Sequence, residues 1–249
     1  SGSRGSGKTQ ALVELLSLYD KDKVFDDVFL FCPTIHNDDK YALLEDMSFN
    51  LHAEEDYSNA KMSETIKFLQ GRLDKYKIYK KQKKIYDEFA SGKAVENFSM
   101  ADLMTLKELN FMPPRNDFPR GKPNNLLIFD DLQYNAELYS NTSSKPDDPK
   151  KFFIRHRHKC CNVLFLTQSF INGVPKQVRS NLNLMILFAN KSPQMKKTIA
   201  DELASMVSKE DFIAMWDHAT AEDFGFIKID YEAPKGRKFG KNWDTFMSM

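Results

Sequence analysis

The sequence predicts an α/β protein in which helices flank a mostly parallel sheet. Four short runs are continuously apolar and rich in β-branched and aromatic residues, as is typical of strands covered on both faces. They span residues 28–31, 126–129, 163–167 and 184–188. Helical patterns separate these runs, which favours a parallel sheet. A glycine-rich stretch at residues 2–9 also leads directly into the first helical pattern.

Two helices and one further strand are indicated by the spacing of apolar side chains. Residues 9–19 carry apolar side chains at helical intervals, from Ala11 to Tyr19. Residues 192–206 open with Ser-Pro, which is typical of a helix start, and continue with the same spacing. Residues 224–230 alternate, so they predict an edge strand or a strand of a hairpin.

Length and composition favour one domain that spans residues 1–249 and carries an insertion. The chain has 249 residues, of which 41% are hydrophobic, so it can bury a sizeable core. Its 36 basic and 35 acidic residues leave a net charge of +1, so any nucleic-acid surface must be local. Three cysteines without a CxxC pair fit a reducing compartment, or one in which the thiols are simply structural. No apolar run approaches the roughly 20 residues that span a bilayer.

The insertion at residues 51–123 contains the densest charge of the chain. Its segment 72–84 has seven basic residues and one acidic residue, a net charge of +6 in thirteen positions. One interpretation is a solvated helix face; the other is a contact that follows a nucleic-acid strand, with Tyr76, Tyr79 and Tyr86 interleaved. The candidate nucleic-acid residues are Arg72, Lys75, Lys77, Lys80, Lys81, Lys83 and Lys84.

The stretch GSRGSGKT at residues 2–9 fits the phosphate-loop pattern G-x-x-x-x-G-K-[ST] at every fixed position. Backbone N–H groups of such a loop wrap a triphosphate, Lys8 would neutralise the β and γ oxygens, and Thr9 would bind Mg²⁺. A flexible tail is the alternative, but a tail has no reason to place Gly-Lys-Thr before a helix. The nucleotide-binding candidates are Gly2, Ser3, Gly5, Ser6, Gly7, Lys8 and Thr9.

A pair of carboxylates follows the second apolar run. In LLIFDD, the strand would deliver Asp130 and Asp131 to its carboxyl end, beside the phosphates. Asp130 would hold Mg²⁺, directly or through water, and Asp131 would polarise the attacking water. An ordinary strand running into a turn is the alternative, because Asp is common in turns.

Two further groups of polar residues flank the third apolar run. Gln168 follows this strand, where an amide would bond the γ-phosphate or the lytic water, although a polar turn would look the same. Arg155 and Arg157 precede the strand, so we expect them at the opposite edge of the sheet from the nucleotide. In a ring of subunits, such an arginine would serve a neighbour's site instead.

Taken together, these motifs resemble those of the FtsK/HerA superfamily of P-loop motor ATPases. Within it, the chain looks most like the genome-packaging ATPases of poxviruses and other large nucleocytoplasmic DNA viruses. The specific part is the block at residues 157–188: Arg-His, an apolar strand ending in Leu-Thr-Gln-Ser, a Val-Pro, an Arg-Ser-Asn and another apolar strand. With the two nucleotide motifs, the likeness covers about half of the chain, and the insertion matches nothing in it.

The resemblance implies a RecA-like core of the additional-strand type, an oligomeric ring, ATP and Mg²⁺ as ligands, and movement of double-stranded DNA into a preformed capsid. It also implies a capsid vertex or portal partner, no membrane insertion, and a location at assembly sites in the host cytoplasm or in the virion. Lys8, Thr9, Asp130, Asp131 and Gln168 match nucleotide and catalytic positions of the family.

The trans-acting arginine and the catalytic carboxylate are also read from this resemblance. Arg157 matches the trans-acting finger, with Arg155 and Arg179 as substitutes. Many members of the superfamily have Glu where Asp131 stands. Another ring translocase or helicase is the alternative function, followed by a P-loop kinase or switch that moves no polymer.

A phosphate loop of this kind normally follows a β-strand. We therefore expect the central strand of the sheet to lie next to the strand that ends at Gln168, and to precede Ser1. The intact protein should then carry an apolar run of about five residues that ends at this loop.

Overall fold

The computed structural model describes residues 1–2, 5–37, 39–132, 135–139, 149–174 and 176–247. The helices are α1 Lys8–Lys21, α2 Ala42–Glu45, α3 Asn59–Ala90, α4 Met100–Glu108, α5 Ala136–Tyr139, α6 Pro149–Arg155, α7 Phe170–Gly173, α8 Lys176–Arg179, α9 Pro193–Leu203 and α10 Lys209–Ala219. The strands are β1 Asp27–Phe31, β2 Asn50–Glu54, β3 Asn125–Asp130, β4 Cys161–Leu166, β5 Leu184–Phe188, β6 Phe226–Asp230, β7 Phe239–Lys241 and β8 Thr245–Phe246.

The main sheet has four parallel strands in the order β2-β1-β3-β4. Every residue of β1 and β3 is buried, because helices cover both faces. Val28 and Leu30 pack with α1 and α2 on one face, while Phe29 and Phe31 pack with α3 on the other. The predicted α/β fold with a mostly parallel sheet is therefore confirmed.

The remaining strands form a second sheet, which is antiparallel and has the order β5-β6-β7-β8. The fourth predicted strand is present, but it pairs with β6 and lies outside the parallel sheet. The segment 224–230 was predicted as an edge or hairpin strand. The hairpin is confirmed, because β6 pairs with the next strand, β7, in antiparallel orientation. The strand is not at an edge, because β5 pairs with its other side. One face of this sheet packs on α9 and α10 around Trp216, which is 1% exposed.

The first two residues join the two sheets. The Gly2 nitrogen donates to the Thr167 oxygen at 3.2 Å, and the Phe188 nitrogen donates to the Ser1 oxygen at 2.9 Å. The Ser1 nitrogen donates in turn to the Ile186 oxygen at 2.7 Å. Beyond them, a cavity of about 680 Å³ lies between β4 and β5, with apolar side chains of α1 in its wall.

The insertion begins later than predicted, because residues 50–54 form β2 and pair with β1 in the main sheet. After it, α3 runs for 32 residues without interruption, a length of about 48 Å at 1.5 Å per residue. Its far half packs on α4 around a small apolar cluster of Ile85, Phe98 and Leu106. In the part of the chain that the structure describes, no helix is both long and apolar enough to cross a bilayer.

Candidate active site

The glycine-rich loop ends where α1 begins. Gly7 is the N-cap residue of α1 and has φ 93°, and Gly5 has φ 75°, so both adopt the left-handed conformation that favours glycine. The first turn of α1 is closed by the Ala11 nitrogen, which donates to the Gly7 oxygen at 2.8 Å. The loop therefore lies directly at the amino-terminal end of a 14-residue helix, which carries a partial positive charge. Backbone N–H groups at such a helix end bind phosphate. Ser3, one of the predicted loop residues, lies outside the described residues.

Two side chains of the loop have groups suited to a phosphate. The Lys8 Nζ donates to the Gly2 oxygen at 2.7 Å, which holds the ammonium across the loop. Burial lowers the pKa of Lys8 below the usual range for lysine, while the negative charges of Asp130 and Asp131 act in the opposite direction. The Ser6 hydroxyl is buried and has no hydrogen-bond partner among the described residues, so a phosphate oxygen would satisfy it.

The two aspartates lie at the carboxyl end of β3, as the sequence predicts. Asp130 is the last residue of β3 and is 6% exposed. Asp131 turns the chain away from the sheet with φ 53°, and its nitrogen donates to the Leu166 oxygen of β4 at 3.1 Å. Asp and Asn adopt this left-handed conformation more readily than Glu does. The backbone at this position therefore suits Asp better than Glu.

Gln168 and Asp131 form a direct pair. The Gln168 Nε2 lies 3.0 Å from each carboxylate oxygen of Asp131, so the amide donates to this carboxylate. The contact follows from the sheet order, because β4 is the neighbour of β3 and both strands end at the same edge. Thr167, the residue between β4 and Gln168, accepts a hydrogen bond from the Gly2 nitrogen of the loop. Gln168 therefore lies beside Asp131 and next to a residue that contacts the loop.

A buried tyrosine contacts Asp130, and no sequence pattern predicts this contact. The Tyr41 hydroxyl donates to Asp130 Oδ2, and the Cys32 Sγ lies 3.9 Å from the same oxygen. Burial raises the pKa of Tyr41, and the charge of Asp130 raises it further, so the hydroxyl keeps its proton. Tyr41 is separated from Asp130 by 89 positions, and no motif links the two.

The residues present fit Mg²⁺. Magnesium prefers hard oxygen ligands, which here are the Asp130 carboxylate and the hydroxyl of Thr9, in the first turn of α1. Both aspartates act on the charge of Lys8, so the carboxylates and the loop share one electrostatic environment. When bound, the metal would neutralise charge on the phosphate oxygens.

The three arginines predicted as finger candidates differ in their surroundings. A short 3-10 turn, His156–Lys159, precedes β4, so Arg157 lies at the opposite end of the strands from Asp131. Arg157 has a 61% exposed side chain and contacts Asn183 and Glu232, and Arg155 is also exposed.

Arg179 does not suit the role of a substitute finger. Its side chain is only 13% exposed and forms an ion pair with Glu202 at 3.5 Å. It also donates to the Val174 oxygen at 2.9 Å. Its guanidinium is therefore engaged by Glu202 and Val174 of its own subunit and does not project toward a neighbour.

The predicted basic segment lies on α3 and divides into two groups. Arg72 is directed inward: its guanidinium lies 2.9 Å from Asp27 and 3.4 Å from Asp26, and it covers the ring of Phe118. We therefore leave Arg72 out of the candidate DNA surface. The other six residues are exposed, and we call them the lysine segment: Lys75, Lys77, Lys80, Lys81, Lys83 and Lys84. Lys77 and Lys83 pair with Asp74 and Asp87 on the same helix.

No family model matches the chain, and no curated protein matches it. Among solved structures, it resembles the genome-packaging NTPase B204 of Sulfolobus turreted icosahedral virus 2. For B204 in complex with sulfate, the TM-score is 0.53 at 10% identity, and the match covers 100% of this chain and 94% of that one. For B204 in complex with AMPPCP, the TM-score is 0.50 at 11% identity, with 100% and 95% covered. The chain has the fold of this packaging NTPase.

A further match is the conjugation coupling protein TcpA of pCW3, with a TM-score of 0.45 and 15% identity over 98% of this chain and 58% of that one. The alignment with B204 spans the whole chain. The predicted resemblance to viral packaging ATPases is confirmed at the level of the fold.

Proposed function

We propose that this chain is a magnesium-dependent ATPase. The observation that carries the proposal is the convergence of three features on one edge of the sheet: the phosphate loop with Lys8, the buried carboxylate of Asp130, and the pair of Asp131 with Gln168. A loop that binds a triphosphate, beside a carboxylate paired with an amide, is an arrangement for phosphoryl transfer to water. B204, which shares the fold, has been solved with ATP analogues.

Each residue of the site has a distinct role in this proposal. Lys8 leaves the Gly2 oxygen and neutralises the β and γ oxygens of ATP, with Thr9 and Asp130 as the residues that would hold Mg²⁺. Asp131 accepts the proton of the attacking water, and Gln168 orients its carboxylate through two contacts of 3.0 Å. The loop's backbone N–H groups bind the charge that moves onto the β-phosphate as the bond breaks.

The finer proposal is that ATP hydrolysis moves double-stranded viral DNA into a preformed capsid. B204, with the same fold, is a genome-packaging NTPase. The lysine segment supplies six exposed positive charges on one long helix, which suits contact with a phosphate backbone. In a ring of subunits, the exposed Arg157 would reach the nucleotide of a neighbour, since it lies at the far end of the strands from its own site.

The test measures phosphate release by the full chain with no acceptor other than water, in the presence and absence of duplex DNA. We expect hydrolysis that duplex DNA stimulates, and we expect Lys8→Ala to abolish both ATP binding and hydrolysis. The matched control is Lys21→Ala, which removes an exposed lysine at the other end of the same helix and should leave both unchanged.

The outcomes distinguish the proposed ATPase activity from the proposed DNA translocation. Phosphate release that duplex DNA does not stimulate at any salt concentration would support the ATPase assignment and refute the translocase assignment. Stimulation by single-stranded DNA together with strand separation would indicate a helicase. Full activity of Lys8→Ala would refute the nucleotide site itself.

A further inference from the structure

Tyr41 lies outside the nucleotide motifs, in the segment that follows β1. Tyr41 closes a short 3-10 turn, Asp39–Tyr41, and is 3% exposed. Its hydroxyl donates to Asp130 Oδ2, and Asp130 is itself 6% exposed. A buried carboxylate therefore receives a hydrogen bond from a side chain that belongs to neither nucleotide motif.

The sheet order brings these two residues together. Strand β1 is the direct neighbour of β3, and Phe31 is in register with Phe129. The chain leaving β1 therefore passes beside the residue that follows Phe129, which is Asp130. Cys32, the first residue after β1, has its Sγ 3.9 Å from the same Oδ2. The Tyr41 hydroxyl and the Cys32 Sγ both contact Oδ2. Together they restrict the rotation of the Asp130 carboxylate about its Cβ–Cγ bond.

The ring of Tyr41 is anchored by its packing. It belongs to the apolar cluster between α1, α2 and the sheet, together with Leu12, Leu16 and Leu44, which are all buried. A tyrosine has only two rotatable side-chain bonds, so a packed ring leaves its hydroxyl little freedom. The Tyr41 ring therefore packs against α1, the helix that carries Lys8 and Thr9 in its first turn.

We propose that Tyr41 is a positioning residue of the magnesium site, whose hydroxyl holds Asp130 in the orientation that binds Mg²⁺. The proposal rests on the proposed function, in which Asp130 is a magnesium ligand. Groups that hydrogen-bond a ligating carboxylate orient it, and their loss typically weakens metal affinity by about 10- to 100-fold. The role of Tyr41 is thus to act through Asp130, without contact to the nucleotide.

The experiment uses the full chain with Tyr41→Phe, which removes the hydroxyl and keeps the packed ring. Binding of a fluorescent ATP analogue is measured in EDTA and then during titration with MgCl₂. We expect the affinity in EDTA to equal that of the wild type, because Lys8 and the loop are intact. We call the Mg²⁺ concentration that gives half of the magnesium-dependent gain in affinity the magnesium midpoint. We expect Tyr41→Phe to raise this midpoint about tenfold, at the lower end of the roughly 10- to 100-fold loss typical when such a hydrogen bond is removed.

The matched control is Tyr57→Phe, which removes the hydroxyl of another buried tyrosine, one that bonds Asn59 at 3.3 Å. It should leave the magnesium midpoint unchanged. A wild-type midpoint in Tyr41→Phe would overturn the proposal, as would an equal loss of affinity in EDTA and in magnesium. If Tyr41→Phe does not fold, Cys32→Ala removes the other contact to Oδ2. It should raise the midpoint severalfold, and an unchanged midpoint would overturn the proposal.

Asp130→Asn separates this inference from the proposed function. If Asp130→Asn shows the wild-type magnesium midpoint, then Asp130 is not the ligand, and the assignment of the magnesium site fails. If Asp130→Asn loses the magnesium dependence while Tyr41→Phe keeps it, then the site stands and only the role of Tyr41 is refuted.

Discussion

Replacement of Asp131 by Asn tests the division of roles between the two aspartates most directly. Asn has the shape of Asp and tolerates the left-handed backbone at φ 53°, so the fold of the turn is preserved. The substitution removes the negative charge and one of the two oxygens that accept from Gln168 at 3.0 Å. An amide at this position cannot take a proton from water.

The magnitude follows from the loss of a general base. Such a group contributes about 10²- to 10⁴-fold to the rate, which is about 3 to 5.5 kcal/mol of barrier at 1.36 kcal/mol per factor of ten. We expect kcat for phosphate release to fall within this range and the affinity for ATP to be retained, because Lys8 and the loop are unchanged. The assay combines single-turnover phosphate release with binding of a fluorescent nucleotide.

Asp131→Glu is the companion variant. It keeps the charge, but a glutamate at φ 53° costs about 1 kcal/mol of stability, and its longer side chain moves the carboxylate relative to the Gln168 amide. We expect it to fold with a lower melting temperature and to hydrolyse ATP more slowly than the wild type. The reasoning is refuted if Asp131→Asn turns over at the wild-type rate, or if it loses ATP binding to the same extent as Lys8→Ala.

Three further predictions concern the surroundings of the site. Arg72→Ala should lower the free energy of unfolding by about 3 kcal/mol in urea denaturation, because it removes the guanidinium that pairs with the buried Asp27; a loss below about 1 kcal/mol would show that this ion pair contributes little. Mixtures of Arg157→Ala and Lys8→Ala subunits should regain part of the DNA-stimulated ATPase activity, and no gain at any ratio would assign Arg157 a structural role. Neutralising four residues of the lysine segment, from Lys80 to Lys84, to Gln should reduce the slope of log affinity for duplex DNA against log salt by up to about 3.6. An equal change on neutralising four exposed lysines elsewhere (Lys21, Lys191, Lys197 and Lys235) would contradict a specific contact.

The sequence by itself predicted most of the fold and the start of α1 directly after the glycine-rich loop, because both depend on local pattern. Continuous apolar runs are typical of buried strands, and β1 and β3 match their predictions to within a residue. The phosphate loop is a contiguous motif whose glycines meet a local backbone requirement, seen at Gly7 with φ 93°. The order of β3 and β4 places Gln168 beside Asp131.

Only the tertiary structure decided which residues are used within the protein and which face solvent. Arg72 and the lysine segment are indistinguishable as a run of positive charge, yet Arg72 pairs with Asp27, from a strand 45 positions earlier. Strand β5 looks like the parallel strands, but its hydrogen-bonding partner β6 lies about 40 residues further along the chain. Tyr41 carries no motif at all and reaches Asp130 because β1 and β3 are neighbours. In each case the partner is distant in sequence, and contacts of that kind are set by strand order and packing, which local residue patterns do not encode.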